Sequence, residues 1–426
     1  MEKKSIVIIE FRIYNIFTEH NLRITFKSRL VDFYMQNYMK NKVEIMKKTT
    51  VGIIGCGMIS EIYLKNMTTT FGNLLEVVAC ADLNQETATK RAEQFSLQVS
   101  TVQELLEADD IELIVNLTIP AAHYEINKQA LLAGKHVYCE KPLAETFEQG
   151  LELIELAKER QLSIAAAPDT FLGAGLQTCR DLIDDGKVGD VVNAFGFLLS
   201  KGPETFHPNP AFFYQPGGGP LLDMGPYYFT ALTSLLGPAV RVSGFSKSQT
   251  PIRKVQNIDS PLYDTEFPCV ADSFSAALVE FSNGVVANVT TSWDMPAPYW
   301  ESGLPLMTIC GTKGTLTLPD PNTFCGIMPT LFAPEPGKFV KFSQGANAVE
   351  EIPLKKDGFI QNSRGLGVAD MALAISTGNT PSISGAQSLH VLEIMLGVLE
   401  SSKTNQTYLL KTTMERPPIL NSALIK

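Results

Sequence analysis

A glycine-containing turn near the start of the chain has the residue types and spacing of a phosphate-binding loop. It reads Gly55-x-Gly57-x-x-Ser60, with Met58 and Ile59 between the last two positions, and it follows an apolar run. The first glycine permits a tight bend, the second lets the backbone approach a pyrophosphate, and a small third residue allows close helix–strand packing. A helix that starts here directs its positive end at the phosphates. The turn therefore predicts dinucleotide binding, with an ordinary loop as the alternative.

An acidic residue ends the second predicted strand, Leu75 to Ala81. Asp82 stands where a carboxylate accepts hydrogen bonds from an adenosine ribose. It would repel a 2′-phosphate, and no Arg or Lys follows it before Lys90. This pattern favours NAD as the cofactor, with NADP as the second choice. The alternative is an aspartate that caps a helix or lies in a solvated loop.

Another candidate segment follows the predicted strand Ile111 to Leu117. It contains Thr118, Pro120 and His123. Ligands of doubly wound folds bind at the carboxyl ends of the strands, so this segment is predicted to face the cofactor. A proline suits the first turn of a helix. The histidine either lines the cofactor site or is a structural residue of the helix, and the sequence leaves both interpretations open.

The sharpest candidate for chemistry is a lysine in Glu140-Lys141-Pro142, just after the predicted strand Lys135 to Cys139. The proline restricts the local backbone. A partly desolvated lysine beside a cationic nicotinamide is expected to have a lowered pKa. Such a lysine polarises a carbonyl or helps to deprotonate an alcohol. The alternative is an ordinary surface lysine.

An aspartate and a tyrosine follow a run of three glycines, 217–219, in the second half of the chain. Pro226 is tolerated in the first turn of a helix but not deep inside one, so a helix is predicted to begin near Asp223. Tyr227 then lies one turn later on the same face. From the spacing alone, an N-cap aspartate and a core aromatic residue are the favoured interpretation.

The glycine turn, Asp82, the segment 118–123 and Lys141 all lie in a region of alternating strands and helices. From residue 49 to residue 167 they follow each other through short links, which predicts a parallel, doubly wound α/β sheet. Beyond residue 168 the chain is rich in strands, with a hairpin signal at Asn283-Gly284. This predicts an α+β domain on a large, mostly antiparallel sheet. The helices predicted in the first domain are 58–70, 84–95, 101–108, 121–133 and 146–160. In the second domain we predict strands 191–199, 240–245, 273–281, 284–292, 307–311 and 315–318, and helices 176–185 and 389–401.

Length and composition limit the classes of function. A chain of 426 residues is too long for one core, so two domains are expected. The net charge of −10 argues against nucleic acid or an anionic membrane as the main partner. The seven cysteines are dispersed, which is typical of reduced thiols in a cytoplasmic protein. The five histidines do not pair with cysteines at ligand spacing, so no metal site is predicted.

The first forty-five residues lack the periodicity of the rest of the chain. Their short apolar run, Ser5 to Ile9, does not make a secretory signal. We therefore expect the natural start at Met46 and an extension, residues 1–47, that is non-native or disordered; a real but poorly ordered arm is the alternative. The predicted domains are then residues 48–167 and 168–426. The intact mass of the protein from its native host tests this boundary.

From about Lys48 onward the chain resembles the glucose-fructose oxidoreductase/inositol dehydrogenase/rhizopine-catabolism (Gfo/Idh/MocA) family. The resemblance rests on the combination of four motifs rather than on any one of them. It implies a Rossmann domain followed by a domain with an open, mostly antiparallel sheet. It also implies oxidation or reduction of sugars, cyclitols and related polyols with NAD(P), and homodimers or homotetramers that associate through the sheet face. The four motifs are Gly55-x-Gly57, Thr118-x-Pro120-x-x-His123, Glu140-Lys141-Pro142 and Gly217-Gly218-Gly219-x-x-x-Asp223.

The resemblance also implies that Lys141 is the catalytic lysine and Asp223 its partner from the second domain. Many members carry histidine four residues after that aspartate, whereas this chain has Tyr227, as glucose-fructose oxidoreductase also does. The tyrosine keeps acid–base chemistry open if a neighbouring cation helps it to ionise. The stretch 167–171 departs from the family pattern as well. The substrate candidates are Asp169 and Thr170 in that stretch and, as weaker choices for a polar pocket, Lys201, His207 and Arg364.

The expected activity is an NAD(P)-dependent oxidoreductase of a sugar or polyol. Two alternatives stay open. One is an NAD-dependent glycoside hydrolase, which the same family contains, and the other is a dinucleotide or sugar sensor without catalysis. A sensor has no need of Lys141 and Asp223, so their presence counts against it.

Overall fold

The computed structural model describes residues 47–295, 306–318, 320–325, 339–344, 348–355, 358–421 and 424. The predicted extension lies outside this part of the chain, except for its last residue.

A six-stranded parallel sheet is built from residues 49–166. Its strands are β1 (Thr49–Ile54), β2 (Leu75–Ala81), β3 (Gln98–Val99), β4 (Leu113–Asn116), β5 (His136–Cys139) and β6 (Ile164–Ala166), and the helices between them are α1 (Ser60–Thr68), α2 (Gln85–Phe95), α3 (Val102–Glu107), α4 (Pro120–Leu132) and α5 (Phe147–Arg160). The strand order is β3-β2-β1-β4-β5-β6. The order therefore reverses between β1 and β4, whose carboxyl ends lie side by side, and this crevice is where such sheets bind ligands. The doubly wound sheet predicted from the sequence is confirmed.

Local capping interactions explain where these helices begin. The side chain of Asn84 accepts hydrogen bonds from two N–H groups of the first turn of α2. Thr101 and Thr146 each form a capping box with the residue three positions later. Pro120 occupies the first turn of α4, where its missing N–H leaves no bond unmade. Each of these boundaries could be predicted because its signal lies within four residues of the chain.

A nine-stranded sheet forms the framework of the second half. Its strands are β7 (Val191–Leu199), β8 (Ala239–Lys247), β11 (Phe274–Phe281), β12 (Val286–Ser292), β13 (Met307–Gly311), β14 (Thr315–Leu318), β15 (Phe339–Ser343), β16 (Val349–Pro353) and β17 (Tyr408–Leu409), and a separate pair is formed by β9 (Ile252–Lys254) and β10 (Glu266–Pro268). The order is β16-β15-β14-β13-β7-β12-β11-β8-β17. Only β7 and β12 pair in parallel, so the sheet is mostly antiparallel, as predicted. The analysis of the sequence missed β9, β10 and β15 to β17.

Helices cover one face of this sheet. These are α6 (Ala174–Asp184), α7 (Gly219–Leu236) and α9 (Gly385–Thr404). A further helix, α8 (Leu366–Thr377), was not predicted. Helix α7 packs against β11 and β12, and α9 packs against β8.

Helix α7 begins four residues before the predicted start. The prediction near Asp223 was wrong because the first-turn position is taken by Pro220 instead of Pro226, which lies inside the helix. All residues of α7 from Gly225 onward are buried. Packing supplies most helical stability in proteins, and it holds α7 together despite the internal proline. Asp223 consequently lies within the helix and is not its N-cap.

Helix α9 also joins the second half of the chain to the first sheet. The hydroxyl of Ser388 accepts a hydrogen bond from the N–H of Ala166 at 2.9 Å, at the end of β6. A Cβ at Gly385 would stand 2.7 Å from the carbonyl oxygen of Ile164, so only glycine permits this close approach. A cavity of about 10 Å³ remains beside the contact, lined by Lys141 among others. It is large enough for one water at most, so it is a packing void and not a substrate site.

A buried ion-pair network braces the segment that leads into α7. Arg253 of β9 donates to Glu204 at 2.7 Å and also contacts Asp294, and its guanidinium lies 4.7 Å from the ring centre of Tyr214. Tyr214 in turn donates a short hydrogen bond to Glu204. The side chains of Arg253 and Glu204 are 5% and 3% exposed, and Trp293 packs on the same cluster. Removing one partner of such a pair leaves an uncompensated buried charge.

We expect Glu204→Ala to lower the free energy of unfolding by about 3 kcal/mol, because Tyr214 loses its acceptor and Arg253 keeps Asp294 but loses its more deeply buried carboxylate. Urea unfolding followed by circular dichroism measures this change. The matched control is Lys254→Ala, which breaks the neighbouring but exposed Lys254–Asp264 pair and should cost less than about 1 kcal/mol. Equal losses for the two variants would show that the buried network is not a brace.

Candidate functional site

The glycine turn leaves room for a ligand at its second glycine. Gly55 has φ +99°, and a Cβ there would stand 2.6 Å from the carbonyl carbon of Leu117, so the position requires glycine. A Cβ at Gly57 would meet no atom within 4 Å, so its backbone is open to approach. Ser60 is fully buried and donates to the carbonyl of Gly57 at 2.7 Å. No side chain caps α1, whose residue before the first turn is Ile59. Open backbone at an uncapped helix start fits a pyrophosphate.

Asp82 braces the glycine turn from the neighbouring strand. One carboxylate oxygen accepts from the backbone N–H of Cys56 at 2.7 Å, and the other accepts from the N–H of Asn84 at 2.8 Å. The carboxylate therefore lies beside the turn, where the ribose prediction needs it, and it also has the structural role named as the alternative. The sequence analysis overlooked Arg91, which donates to the carbonyl of Gly57 at 3.3 Å and pairs with Glu61 at 3.0 Å.

Exposed apolar side chains surround this turn. Met58, Leu83 and Ile119 follow the ends of β1, β2 and β4, and all three are more than half exposed. Leu83 had not been singled out from the sequence, because a single leucine after a strand carries no signal of its own. A flat apolar ligand surface such as an adenine ring fits side chains of this kind.

His123 is a buried brace and does not line the cleft. Its side chain is fully buried, with Nδ1 2.7 Å from the carbonyl oxygen of Pro142 and Nε2 3.0 Å from that of Thr118. Burial lowers its pKa even though both carbonyls favour the protonated ring. The histidine thus ties the segment after β4 to the turn that carries Lys141. Thr118 is held in addition by Asn116, which accepts from its hydroxyl at 2.6 Å.

Lys141 lies against helix α7 of the second half of the chain. Its Nζ donates to Asp223 twice, at 2.6 Å to carboxylate Oδ1 and at 2.6 Å to the backbone carbonyl oxygen. The same Nζ lies 5.6 Å from the ring centre of Tyr227. The side chains of Lys141 and Asp223 are 15% and 24% exposed, so the pair is largely shielded from water but reachable.

In this arrangement of protein groups the pKa of Lys141 is raised, whereas the lowered pKa was predicted for a lysine beside a cationic nicotinamide. Burial does act to lower the pKa, but Asp223, Tyr227 and Glu140 together outweigh it, and the net shift is upward. The sequence argument counted desolvation and missed these acidic groups, because two of them come from α7, more than eighty residues away. The ammonium therefore keeps its proton at neutral pH and serves as a fixed cation.

Arg364 and Glu140 complete the surroundings of Lys141 and Tyr227. Arg364 Nη2 donates to the hydroxyl of Tyr227 at 3.3 Å. Glu140 accepts from the hydroxyl of Tyr63 at 2.7 Å and from the N–H of Lys141 at 3.2 Å. The structure thus brings together Glu140, Lys141, Asp223, Tyr227 and Arg364, which the sequence places in three distant segments.

The other substrate candidates lie outside this cluster, although Asp169 interacts electrostatically with Arg364 and Glu140. Asp169 is buried and accepts from the N–H groups of Gly365 and Gly367 at 2.9 and 3.0 Å, and burial raises its pKa to about 6. Thr170 is buried beside it. His207 packs its ring against Phe212 and Phe213, and Lys201 is exposed. No contact recorded among the described residues joins these four to Lys141, Asp223 or Tyr227, so a substrate contact is not supported for them.

In the described part of the chain, no three His, Cys, Asp or Glu side chains come together as a metal ion requires. None of the helices in that part combines the length and the apolar character of a membrane span.

Comparison with known proteins bears on this arrangement. Residues 49–167 match the model of an oxidoreductase family with an NAD-binding Rossmann fold, which confirms the predicted NAD-binding domain, and residues 176–317 match the Gfo/Idh/MocA C-terminal domain. Among curated relatives, an uncharacterised oxidoreductase of Schizosaccharomyces pombe is 31% identical over 49% of this chain and 57% of its own length. A D-xylose dehydrogenase of Paenarthrobacter nicotinovorans is 26% identical over 43% and 48%. The chain thus spans about half the length of these relatives.

A third relative is matched over more of its length. A dTDP-3,4-didehydro-2,6-dideoxy-alpha-D-glucose 3-reductase of Saccharopolyspora spinosa is 31% identical over 53% of this chain and 67% of its own length. The fold is similar to that of a levoglucosan dehydrogenase solved with NADH, with a TM-score of 0.71 and 19% identity over 86% of this chain and all of that one. With both domain models matched in sequence order, the chain belongs to the Gfo/Idh/MocA oxidoreductase family.

Proposed function

We propose that this protein transfers a hydride between the nicotinamide of NAD and a carbinol or carbonyl carbon of a sugar, cyclitol or related polyol. The observation that carries the proposal is the contact of Lys141 Nζ with Asp223 at 2.6 Å, at the edge of the sheet that also carries the glycine turn. The printed activities of relatives, a D-xylose dehydrogenase and an inositol 2-dehydrogenase among them, support this class of substrate.

The residues around the glycine turn fit the cofactor. Gly55, Gly57, Met58 and Ile59 would hold the pyrophosphate, and Asp82 would accept from the adenosine ribose. Thr118, Pro120, Glu140 and Lys141 follow the strands that point to the nicotinamide end of such a site, with His123 bracing them from below. Bound NAD supplies a carbon that accepts or gives up the hydride.

The chain's own residues would manage the proton of the substrate hydroxyl. Because acidic neighbours raise the pKa of Lys141, its ammonium stays charged and stabilises a developing alkoxide by a charge-assisted hydrogen bond. Asp223 fixes that ammonium through two hydrogen bonds. Tyr227 in its phenolate form is then the group that takes the hydroxyl proton during oxidation, and as the phenol it returns that proton during reduction. Holding both reactants beside this cluster supplies a large part of the rate.

Association of two or four copies through the nine-stranded sheet is part of the same proposal. Phe245 of β8 and Leu278 of β11 lie on the same face of this sheet. Their side chains are 73% and 52% exposed. Exposed apolar residues grouped on one face are typical of association surfaces. Light scattering on the purified protein would show a dimer or tetramer, and a monomer at micromolar concentration would contradict this part.

The direct test of activity supplies NAD⁺ together with D-xylose, myo-inositol or levoglucosan and follows the absorbance of NADH. We expect NADH formation with at least one compound in a wider panel of sugars and cyclitols. Release of free sugar from glycosides without net NADH would instead favour the hydrolase alternative. Cofactor binding without turnover of any compound would favour the sensor.

We expect Lys141→Ala to reduce turnover by at least about 10²-fold, because the fixed cation beside the reacting oxygen is lost. NADH binding, measured by nicotinamide fluorescence, should persist. The control is Lys128→Ala, which removes a lysine that is also paired with a carboxylate, Glu152, but lies on α4. Near-normal turnover of the Lys141 variant would remove this residue from the mechanism.

We expect Asp82→Ala to weaken NADH binding by about tenfold, the loss of a charge-assisted hydrogen bond, and to weaken NADPH binding less. Fluorescence titration with both nucleotides gives the ratio of the two affinities. The ratio separates ribose recognition from bracing of the turn, since a distorted turn would weaken both nucleotides equally. Asp110→Ala, which removes an exposed carboxylate, is the charge-matched control.

A further inference from the structure

Arg364 is a half-buried cation whose hydrogen bonds go to neutral groups. Its Nη2 donates to Tyr227 Oη at 3.3 Å, and its Nη1 donates to the amide oxygen of Asn362 at 3.0 Å. Among the residues that the structure describes, no carboxylate forms an ion pair with it. The same Nη2 lies 3.5 Å from the amide oxygen of Asn322. Of these three hydrogen-bond partners, Tyr227 is the one with a titratable side chain.

The backbone around Arg364 is held by residues of the first half of the chain. Asn66 of α1 donates to the carbonyl of Arg364 at 2.8 Å and to that of Asn362 at 2.9 Å. On the following residues, Asp169 accepts from the N–H groups of Gly365 and Gly367. Because α1 begins at the glycine turn, the helix predicted to hold the pyrophosphate also holds the segment that carries Arg364. Asp169, which sequence analysis assigned to the substrate, holds the start of α8 instead.

We infer that Arg364 is a positioning residue for Tyr227. It aims a charged donor at the phenol oxygen, fixes the direction of the hydroxyl and stabilises the oxygen when it carries negative charge. This inference rests on the proposed function, in which Tyr227 exchanges the substrate proton. A phenol holds its proton more tightly than the imidazole that many family members have at this position, so it needs a neighbouring cation to work near neutral pH.

Other charged groups also face Tyr227 and Arg364. Lys141, from the segment after β5, lies over the ring of Tyr227, and Asp223 lies one turn earlier on α7 and neutralises that lysine. Glu140 and Tyr63 influence Arg364 from the β5 and α1 side. Burial raises the pKa of Asp169 and of Asp320, and the charge of Arg364 opposes that rise at both carboxyls. Lys141 forms an ion pair with Asp223, whereas Arg364 forms none among the described residues and donates to the Tyr227 hydroxyl, so we expect its removal to change Tyr227.

The first experiment needs no substrate. The holoprotein with NAD⁺ is titrated with base while the absorbance of tyrosinate is recorded, and the difference between wild type and Tyr227→Phe isolates one of the twelve tyrosines. The same difference is then measured in the Arg364→Gln background. We expect the Tyr227 component to ionise about one pH unit higher there. An unchanged midpoint would overturn the inference. Arg160→Gln, at an exposed position, is the charge-matched control.

The second experiment is a double-mutant cycle on turnover with a substrate found in the panel. We expect Arg364→Gln to lower kcat about tenfold and to move the pH profile upward, and Arg364→Lys to restore part of the loss. In the Tyr227→Phe background the same change should have less than a twofold effect on kcat. If Arg364 instead contacts the substrate, KM rises in both backgrounds and the effects add, which overturns the inference.

The two proposals can fail separately. Normal turnover by both Lys141→Ala and Tyr227→Phe would contradict the proposed function. Loss of turnover in those variants, with Arg364 and Tyr227 behaving independently, would contradict only the inference about Arg364.

Discussion

The contact between Lys141 and Asp223 is the interaction on which the candidate site depends. The lysine follows a strand of the parallel sheet and the aspartate lies on a helix of the second half, so their hydrogen bonds form only when the two halves are docked. Helix α9 secures this docking through Ser388 and the tight approach at Gly385. The electrostatic result is a shielded ammonium that keeps its charge, which neither half of the chain would produce by itself.

The loops at the crevice are also held by hydrogen bonds between segments that are distant in the sequence. His123 joins the segment after β4 to the turn of Lys141, and Asp82 joins the end of β2 to the glycine turn. Both side chains were candidates for ligand contact, and both make short hydrogen bonds to backbone groups. The backbone groups that make these bonds are not hydrogen-bonded within the strands of the sheet. Side chains from neighbouring segments hold the loops in place instead. A rigid frame of this kind reduces the ordering that binding would otherwise require.

Tyr227 and its cations set the chemical character of the site. Lys141 is neutralised by Asp223, whereas Arg364 has no carboxylate partner among the described residues, so the two cations next to one phenol act differently. In the proposed function, Lys141 stabilises charge on a substrate oxygen and Arg364 stabilises charge on the tyrosine. A partly buried charge without an ionic partner is costly, and this cost supports the proposed role of Arg364 beside Tyr227.

The sequence alone predicted five of the six strands of the first sheet, its helices and the tight turn at Gly55, because each depends on residues within a few positions of one another. It missed β3, which has only two residues. It also singled out Lys141, Asp223 and Tyr227, although the spacing of the last two alone favoured a structural interpretation. The partners and the pKa of Lys141 depend on the folded structure. So do the hydrogen bonds of Asp169 to the start of α8 and the contact of Arg364 with Tyr227. These contacts join segments up to about two hundred residues apart. The spacing of residues within one segment cannot predict which charges from other segments will lie beside it.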